Sequence, residues 1–315
     1  MVGIGHPINT IHAATNGKPK SYPSVSVIMS MRNSAPTVGA AVRSVIMQTL
    51  QDWELIVIDD GSSDQSSAIV EGFNDDRICL VREAQSAGLA ARLNQAVALA
   101  RGEFIARMDA DDICFPERLS QQVARLRQEP QLDLIGCGAL VFTSRGVVIG
   151  EMPAGLEHRD IVERPFAGFA LPHPTWCGRS DWFRNNPYDA RLRYAEDQDL
   201  LLRSFRHSRL GGLDQVLLGY RQDQLALRKL IPGRATFARS AWRNGMATGK
   251  VFPALLGISN HVVKGVADVA TLALGFNRLM QSRRFKPVSP VVAETWRQLQ
   301  EELDVLRSST VRGAG

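Results

Sequence analysis

No apolar run in this 315-residue chain is long enough to span a bilayer, which takes about 20 residues. The N-terminal stretch has no charged-then-apolar leader pattern, so secretion is not expected and a cytoplasmic place is. Only four cysteines occur (Cys79, Cys114, Cys137, Cys177), far apart and without a CxxC pair. That argues against a zinc site or a disulfide scaffold and fits a reducing compartment. There is no P-loop signature, and the turn Ser30-Met31-Arg32-Asn33-Ser34 after the first strand contains no glycine. A nicotinamide dehydrogenase needs glycines there so that the backbone can approach a pyrophosphate. A sugar nucleotidyltransferase would also need a Gly-rich basic loop at that point. Sequence repeats and low-complexity tracts are absent too.

What is present centres on Phe104-Ile105-Ala106-Arg107-Met108-Asp109-Ala110-Asp111-Asp112. A short apolar run of this kind reads as a buried strand. Side chains alternate along a strand, so Asp109 and Asp111 point to one side at its end. Crowded carboxylates repel one another unless a positive charge lies between them. A divalent metal with oxygen ligands, Mg²⁺ or Mn²⁺, answers that need. A solvated acidic loop is the plainer alternative for an isolated D-x-D.

The preceding chain supplies company for these acids. Residues 1–22 form a polar lead-in. Val25–Met29 is the first strand, followed by a helix from Ser34 to about Gln48 with Ser34 as its cap. Leu55–Ile58 is a second buried strand, ending in Asp59-Asp60-Gly61-Ser62, with Ser62 or Ser63 capping the next helix. Arg77–Val81 is a third strand, Gly88–Ala100 a helix, and Phe104–Met108 the fourth strand. Four strand–helix alternations predict a parallel sheet with helices on both faces, whose ligands bind beyond the carboxyl ends of the strands. Asn33, Asp59, Asp60 and Asp109–Asp112 all fall at such ends. Further on, a helix from Pro116 to Gln128 and a hairpin of 134–142 with 146–150 are expected. A strand at Leu171–Trp176, a helix opening at Glu196-Asp197 and a last strand at 213–221 complete the pattern.

The net charge of +5 is uneven: Arg221 to Lys286 holds twelve Lys/Arg and two acids. That segment attracts anions, or is simply a solvated helical face. Its sparse aromatics (Phe237, Trp242, Phe252) and lack of any known motif argue against nucleic acid. Ile258–Met280 is apolar over much of its circumference, so it caps the core or lies on an anionic membrane surface.

Taken in order, Val25–Asn33, Asp59-Asp60-Gly61-Ser62, Asp64, Gly88 with Asn94, and Ala100–Ala106 leading into Asp109–Asp112 resemble the family-2 glycosyltransferases. The resemblance implies a GT-A (Rossmann-like), mostly parallel α/β sheet flanked by helices, with a helical C-terminal extension. The expected divisions are a catalytic domain at 23–221 and a basic helical extension at 222–315. Within the former, a nucleotide-sugar half (about 23–112) precedes an acceptor half (about 113–221). The activity implied is inverting transfer of a sugar from a nucleotide diphosphate donor, expected to be a UDP-sugar, to a saccharide or lipid-linked acceptor. Such chemistry serves assembly of cell-surface polysaccharides, oligosaccharides or glycolipids. The resemblance places Ser30, Arg32, Asn33, Asp59, Asp60, Asp109 and Ala110 at the nucleotide-sugar. It places Asp109 and Asp111 at Mn²⁺ or Mg²⁺, with Asp112 capping the following turn or supporting the metal ligands. Asp197 would be the general base, ahead of Glu196 and Asp199. His173, Trp176 and Glu196 fall on the acceptor side, although His173 and Trp176 also suit a packed interior. The family's usual Pro is Ser30 here, its frequent Tyr is Arg32, and an Arg common before Asn94 is Leu93. A catalytically silent relative serving as a binding or scaffold subunit is the alternative, which the presence of Asp109, Asp111 and Asp197 disfavours.

Overall fold

The computed structural model describes residues 22–223, 227–273 and 285–312. Nearly all of the expected lead-in lies outside these residues, as do Arg278, Arg283 and Arg284 of the basic segment. So does the apolar stretch after Ala273.

Three parallel pairings build the first half of the sheet. β1 (Val25–Met31) lies between β2 (Trp53–Asp59) and β4 (Phe104–Asp109), and β3 (Ile78–Arg82) flanks β2. The second half is mixed. It comprises β5 (Ile113–Cys114), β6 (Leu134–Phe142), β7 (Val148–Met152), β8 (Cys177–Arg179) and β9 (Leu210–Arg221). The order is β3-β2-β1-β4-β8-β6-β9-β5, with β7 on β6. The short β8 joins the halves, antiparallel to both β4 and β6.

Strand alternation sorts the core into two layers. Val25, Val27, Met29, Phe104, Ala106 and Met108 face one layer with α1 (Val38–Ile46) and α4 (Arg118–Gln128). Ile28, Ile56 and Ile105 face the other, with α3 (Leu89–Leu99), α6 (Ser180–Asn185) and α7 (Glu196–Ser204). Arg107 and Asp109 share the parity of Ile105, so β4 aims them toward the layer that contains α7. The remaining short helices are α2 (Ser66–Glu71) and α5 (His158–Ile161).

Among the described residues, three long helices follow β9: α8 (Leu227–Ala247), α9 (Val251–Ala273) and α10 (Pro290–Arg312). α10 sets Trp296 against Phe142, with ring centroids 4.7 Å apart, and joins Phe115 and Leu140 in a third apolar cluster.

Several local expectations give way to tertiary contacts. The helix after β1 begins at Val38 rather than Ser34, and that after β2 at Ser66. The serines expected as caps tie the two loops together instead: Asn33 N donates to Ser62 Oγ (2.9 Å) and Ser63 N to Asn33 Oδ1 (2.8 Å). Asn33 takes φ +51°, the left-handed turn for which a glycine is the commoner choice. Leu171–Trp176 is not a strand. Pro172 and Pro174 remove amide donors, and residues 173–175 close a 3₁₀ turn through Thr175 N to Pro172 O (3.0 Å).

That turn is clamped from α4. The fully buried Arg118 guanidinium donates to Pro174 O (3.0 Å) and to Arg107 O on β4 (2.6 Å), and Gln122 donates to Thr175 O (2.7 Å). Arg118→Met leaves buried carbonyls without donors, each costing about 1–3 kcal/mol. The variant is expected to lose about 3 kcal/mol of stability, seen as a lower urea midpoint. A wild-type midpoint would contradict the clamp.

Candidate active site

β1, β2 and β4 end side by side. Ser30 pairs in register with Asp109, and Met31 with Asp59. Beyond β4 the chain turns through Asp112 N to Asp109 O (3.3 Å), which brings three acids together. Carboxylate oxygens of Asp109, Asp111 and Asp112 lie within 4.8 Å of one another. Burial and the charge of Asp109 push Asp111 up to about 6. Burial, then Asp109 and Asp111, drive Asp112 well above its ordinary value.

Asp112 departs from its expected role as a cap. Its Oδ1 accepts from Arg221 N of β9 (2.9 Å), while buried Oδ2 has no hydrogen-bond partner among the described residues. An orphaned buried oxygen beside two further carboxylates is a donor set suited to a hard divalent cation. The residues present therefore fit Mn²⁺ or Mg²⁺.

Arg107 stands next to this cluster. It is 2 % exposed and donates from Nη2 to Asp109 Oδ1 (2.5 Å), while Nε and Nη1 have no partner among the described residues. Burial opposes its charge, but Asp109, Tyr188, Asp112 and Glu196 outweigh that and keep it protonated. Arg107 was legible in principle: a charge in the middle of an apolar strand needs a partner.

From α7 come the remaining acids. Ala195, just before the helix, sits in the left-handed region at φ +54°, a strained place for a residue with a Cβ. Glu196 is 8 % and Asp199 3 % exposed, whereas Asp197 is half-buried. Asp199 is taken by Arg203 (2.8 Å) and Arg243 (3.3 Å). Asp197 accepts one bond, from Gln198 Nε2 (3.1 Å), and burial raises it against the lowering pull of Gln198 and Arg107. Burial and Asp197 push Glu196 up to about 7, with Asp109 adding to the rise. The acids of β4 and α7 thus feel one another across Arg107.

Other expected residues take these places. Asp60 is saturated: its oxygens accept from Ser86 Oγ (2.6 Å), Ala87 N (2.7 Å), Gly88 N (3.0 Å) and Arg92 Nε (2.7 Å). Burial works against its charge, but these bonds prevail and hold the carboxyl below its ordinary range. Asp59 accepts from Ser62 N (2.9 Å) and the Ser67 hydroxyl. Arg32 is exposed and reaches Ser86 Oγ (2.9 Å). Ala110 points the other way, into the α1 layer.

On the acceptor side, His173 is buried, with Nε2 2.8 Å from Tyr188 Oη and its ring edge-on to Trp176. Burial, then Arg107, drives the imidazole well below its ordinary value, so it is neutral. Trp176 is 0 % exposed and gives its indole N–H to Leu171 O (3.1 Å). It offers no open face for a sugar, so packing is its role here, as for the buried Trp182. Tyr188 had no signal in the sequence. It reaches the site because Asn94 on α3 holds its backbone, donating to Tyr188 O and accepting from Tyr188 N (both 2.9 Å).

The model of glycosyl transferase family 2 matches residues 26–152. EpsE of Bacillus subtilis (strain 168), which carries a glycosyltransferase name, is 34 % identical over 216 residues, covering 66 % of this chain and 77 % of that protein. The chain belongs to glycosyl transferase family 2. A second relative, WfgD of Escherichia coli, is named a UDP-Glc:α-D-GlcNAc-diphosphoundecaprenol β-1,3-glucosyltransferase. It is 40 % identical over 102 residues, 32 % of this glycosyltransferase and 40 % of that protein. Among solved structures, the mannosyltransferase PcManGT from Pyrobaculum calidifontis, in complex with GDP-Man and Mn²⁺, superposes with a TM-score of 0.56 at 17 % identity. It covers 96 % of this chain and 91 % of that one, a likeness of GT-A fold.

Glu196 provides a test that needs no substrate. Its folded-state value lies above the ordinary carboxylate value, so the folded protein binds that proton more tightly than the unfolded chain. The associated stability is present at low pH and is lost as pH rises toward about 7. Glu196→Gln is therefore expected to raise Tm by several degrees at pH 8, about 2 kcal/mol, and to change it little near pH 4.5. An equal effect at both pH values in thermal melts would contradict the assignment.

Proposed function

We propose that this glycosyltransferase is an inverting enzyme moving a sugar from a nucleoside diphosphate donor to an acceptor hydroxyl. Asp197 serves as its base, and Asp109 and Asp111 hold Mn²⁺ or Mg²⁺. The observation that supports it most is the facing of two acid groups across Arg107: Asp109–Asp112 at the end of β4 and Glu196-Asp197 at the start of α7.

Inverting transfer is one in-line displacement. The acceptor oxygen forms a bond to the anomeric carbon, and its proton passes to the Asp197 carboxylate. The bond from the anomeric carbon to the diphosphate oxygen breaks, and its electron pair leaves with the nucleoside diphosphate. Asp197 is the acid best suited to the base, because Asp199 is held by two arginines and Glu196 is the more deeply buried. When bound, the cation supplies charge neutralisation to the leaving diphosphate. Arg107 keeps two unpartnered N–H donors beside it, suited to a donor oxygen.

Asp59 is the better reader of the base, since Asp60 is saturated by four donors. A carboxylate accepts from the ring N–H of uracil, in line with a UDP-sugar, the donor class in the name of WfgD. That relative's name also specifies a lipid-linked saccharide acceptor, and we assign this chain an acceptor of the same class. The catalytic domain is taken as 23–221.

Two substitutions separate the roles. Asp197→Asn is expected to lower kcat by about 10²–10⁴-fold while leaving the thermal shift given by UDP with Mn²⁺ intact. Asp111→Asn is expected to abolish that shift. Wild-type turnover by Asp197→Asn, or an undiminished Mn²⁺-dependent shift in Asp111→Asn, would overturn the reading.

A further inference from the structure

The outward side of α9 is apolar. Phe252, Leu255, Leu256, Val262, Val263 and Val266 fall on one side of the helix at 3.6 residues per turn, and each is between 48 % and 71 % exposed. The inward side carries the polar groups. His261 lies 3.4 Å from Arg234 of α8, and Asp268 pairs with the same arginine. Ala254 is buried, and Gly257 lies against Phe166 so closely that a Cβ there would meet its carbonyl oxygen. A surface helix ordinarily shows the reverse arrangement. A contiguous apolar patch left open marks an interaction surface. On α8, Ile231, Trp242 and Met246 are exposed as well.

Charge selects the occupant. Residues 227–273 hold seven Lys/Arg and a single acid, Asp268, which is committed to Arg234. Arg239 on α8, Lys250 just before α9 and Lys264 on α9 are exposed, so the basic charge of the two helices is open to solvent. Two copies meeting through this face would bring like charges together, whereas anionic headgroups neutralise them. No described helix is long and apolar enough to cross a membrane, so α9 would lie along the surface.

We propose that the outward face of α9 docks the protein on an anionic lipid bilayer, to which the surplus basic charge of α8 and α9 draws it. The face does not depend on the transfer chemistry, so the proposal stands or falls independently of it. Valine side chains enter the boundary between headgroups and acyl chains, and Lys250 and Lys264 contribute long-range attraction to the anionic surface.

Co-sedimentation of the full chain with vesicles tests this, using phosphatidylcholine alone and phosphatidylcholine mixed with phosphatidylglycerol. Wild type is expected to partition about tenfold more strongly onto the anionic vesicles. Val263→Glu with Val266→Glu, and separately Lys250→Glu with Lys264→Glu, are each expected to weaken that binding about tenfold or more, with Tm retained. Equal partitioning of wild type and both variants would overturn the proposal. So would a wild-type dimer in light scattering that the valine variant dissociates, with no vesicle binding by either.

Discussion

Carboxylates cannot be crowded at the end of a buried strand without a positive charge among them, and this constraint shapes the site. β4 ends in three acids, one of them completely buried. Among the described residues the answering charges are Arg107, whose side chain bonds Asp109, and Arg221, whose guanidinium reaches the Asp111 carbonyl rather than its carboxylate. Asp112 Oδ2 is left bare, and burial with the charge of Asp109 pushes Asp111 up to about 6, so the charge balance among the described residues is incomplete. Under the proposed function, a divalent ion held there would complete it and would supply charge neutralisation to the leaving diphosphate.

The surrounding framework holds that crowded end in place. Arg118 ties β4 to the proline-flanked turn before β8, so the same clamp positions His173 and, through it, Tyr188. Asp60 secures the loop into α3, and the serines after β2 lock the first two loops to one another. α8 reaches α7 through Arg243 to Asp199 and Asn244 to Leu202 O, so the helices after β9 help fix the helix that carries Asp197.

Much of the parallel half was legible because its signals are local. Continuous apolar runs gave β1, β2 and β4, and the acids at the end of β4 were expected close together, although a turn after Asp109 rather than strand alternation gathers them. What escaped depends on contacts distant in sequence. Ser34 and Ser62 read as caps because nothing local shows that the two loops would bond each other. The 3₁₀ turn at His173 read as a strand because its prolines mattered less to the pattern than its apolar neighbours. β5 and β8 are too short to show periodicity. Asp112 read as a cap because its partner, Arg221, lies 109 residues away. Tyr188 had no local mark at all, and Trp176 read either as acceptor-side or as packed because burial cannot be seen in a sequence.

The account rests on a cation at the end of β4 facing the acids of α7. Crystals grown with Mn²⁺ and UDP, recorded at a wavelength where manganese scatters anomalously, test it most directly. The expected result is one anomalous peak in ligand contact with Asp109 and Asp111, the pyrophosphate on that ion, and the Asp197 carboxylate lining the same cavity. UDP bound with no manganese at that cluster, or Asp197 turned away from the cavity that holds the pyrophosphate, would contradict it.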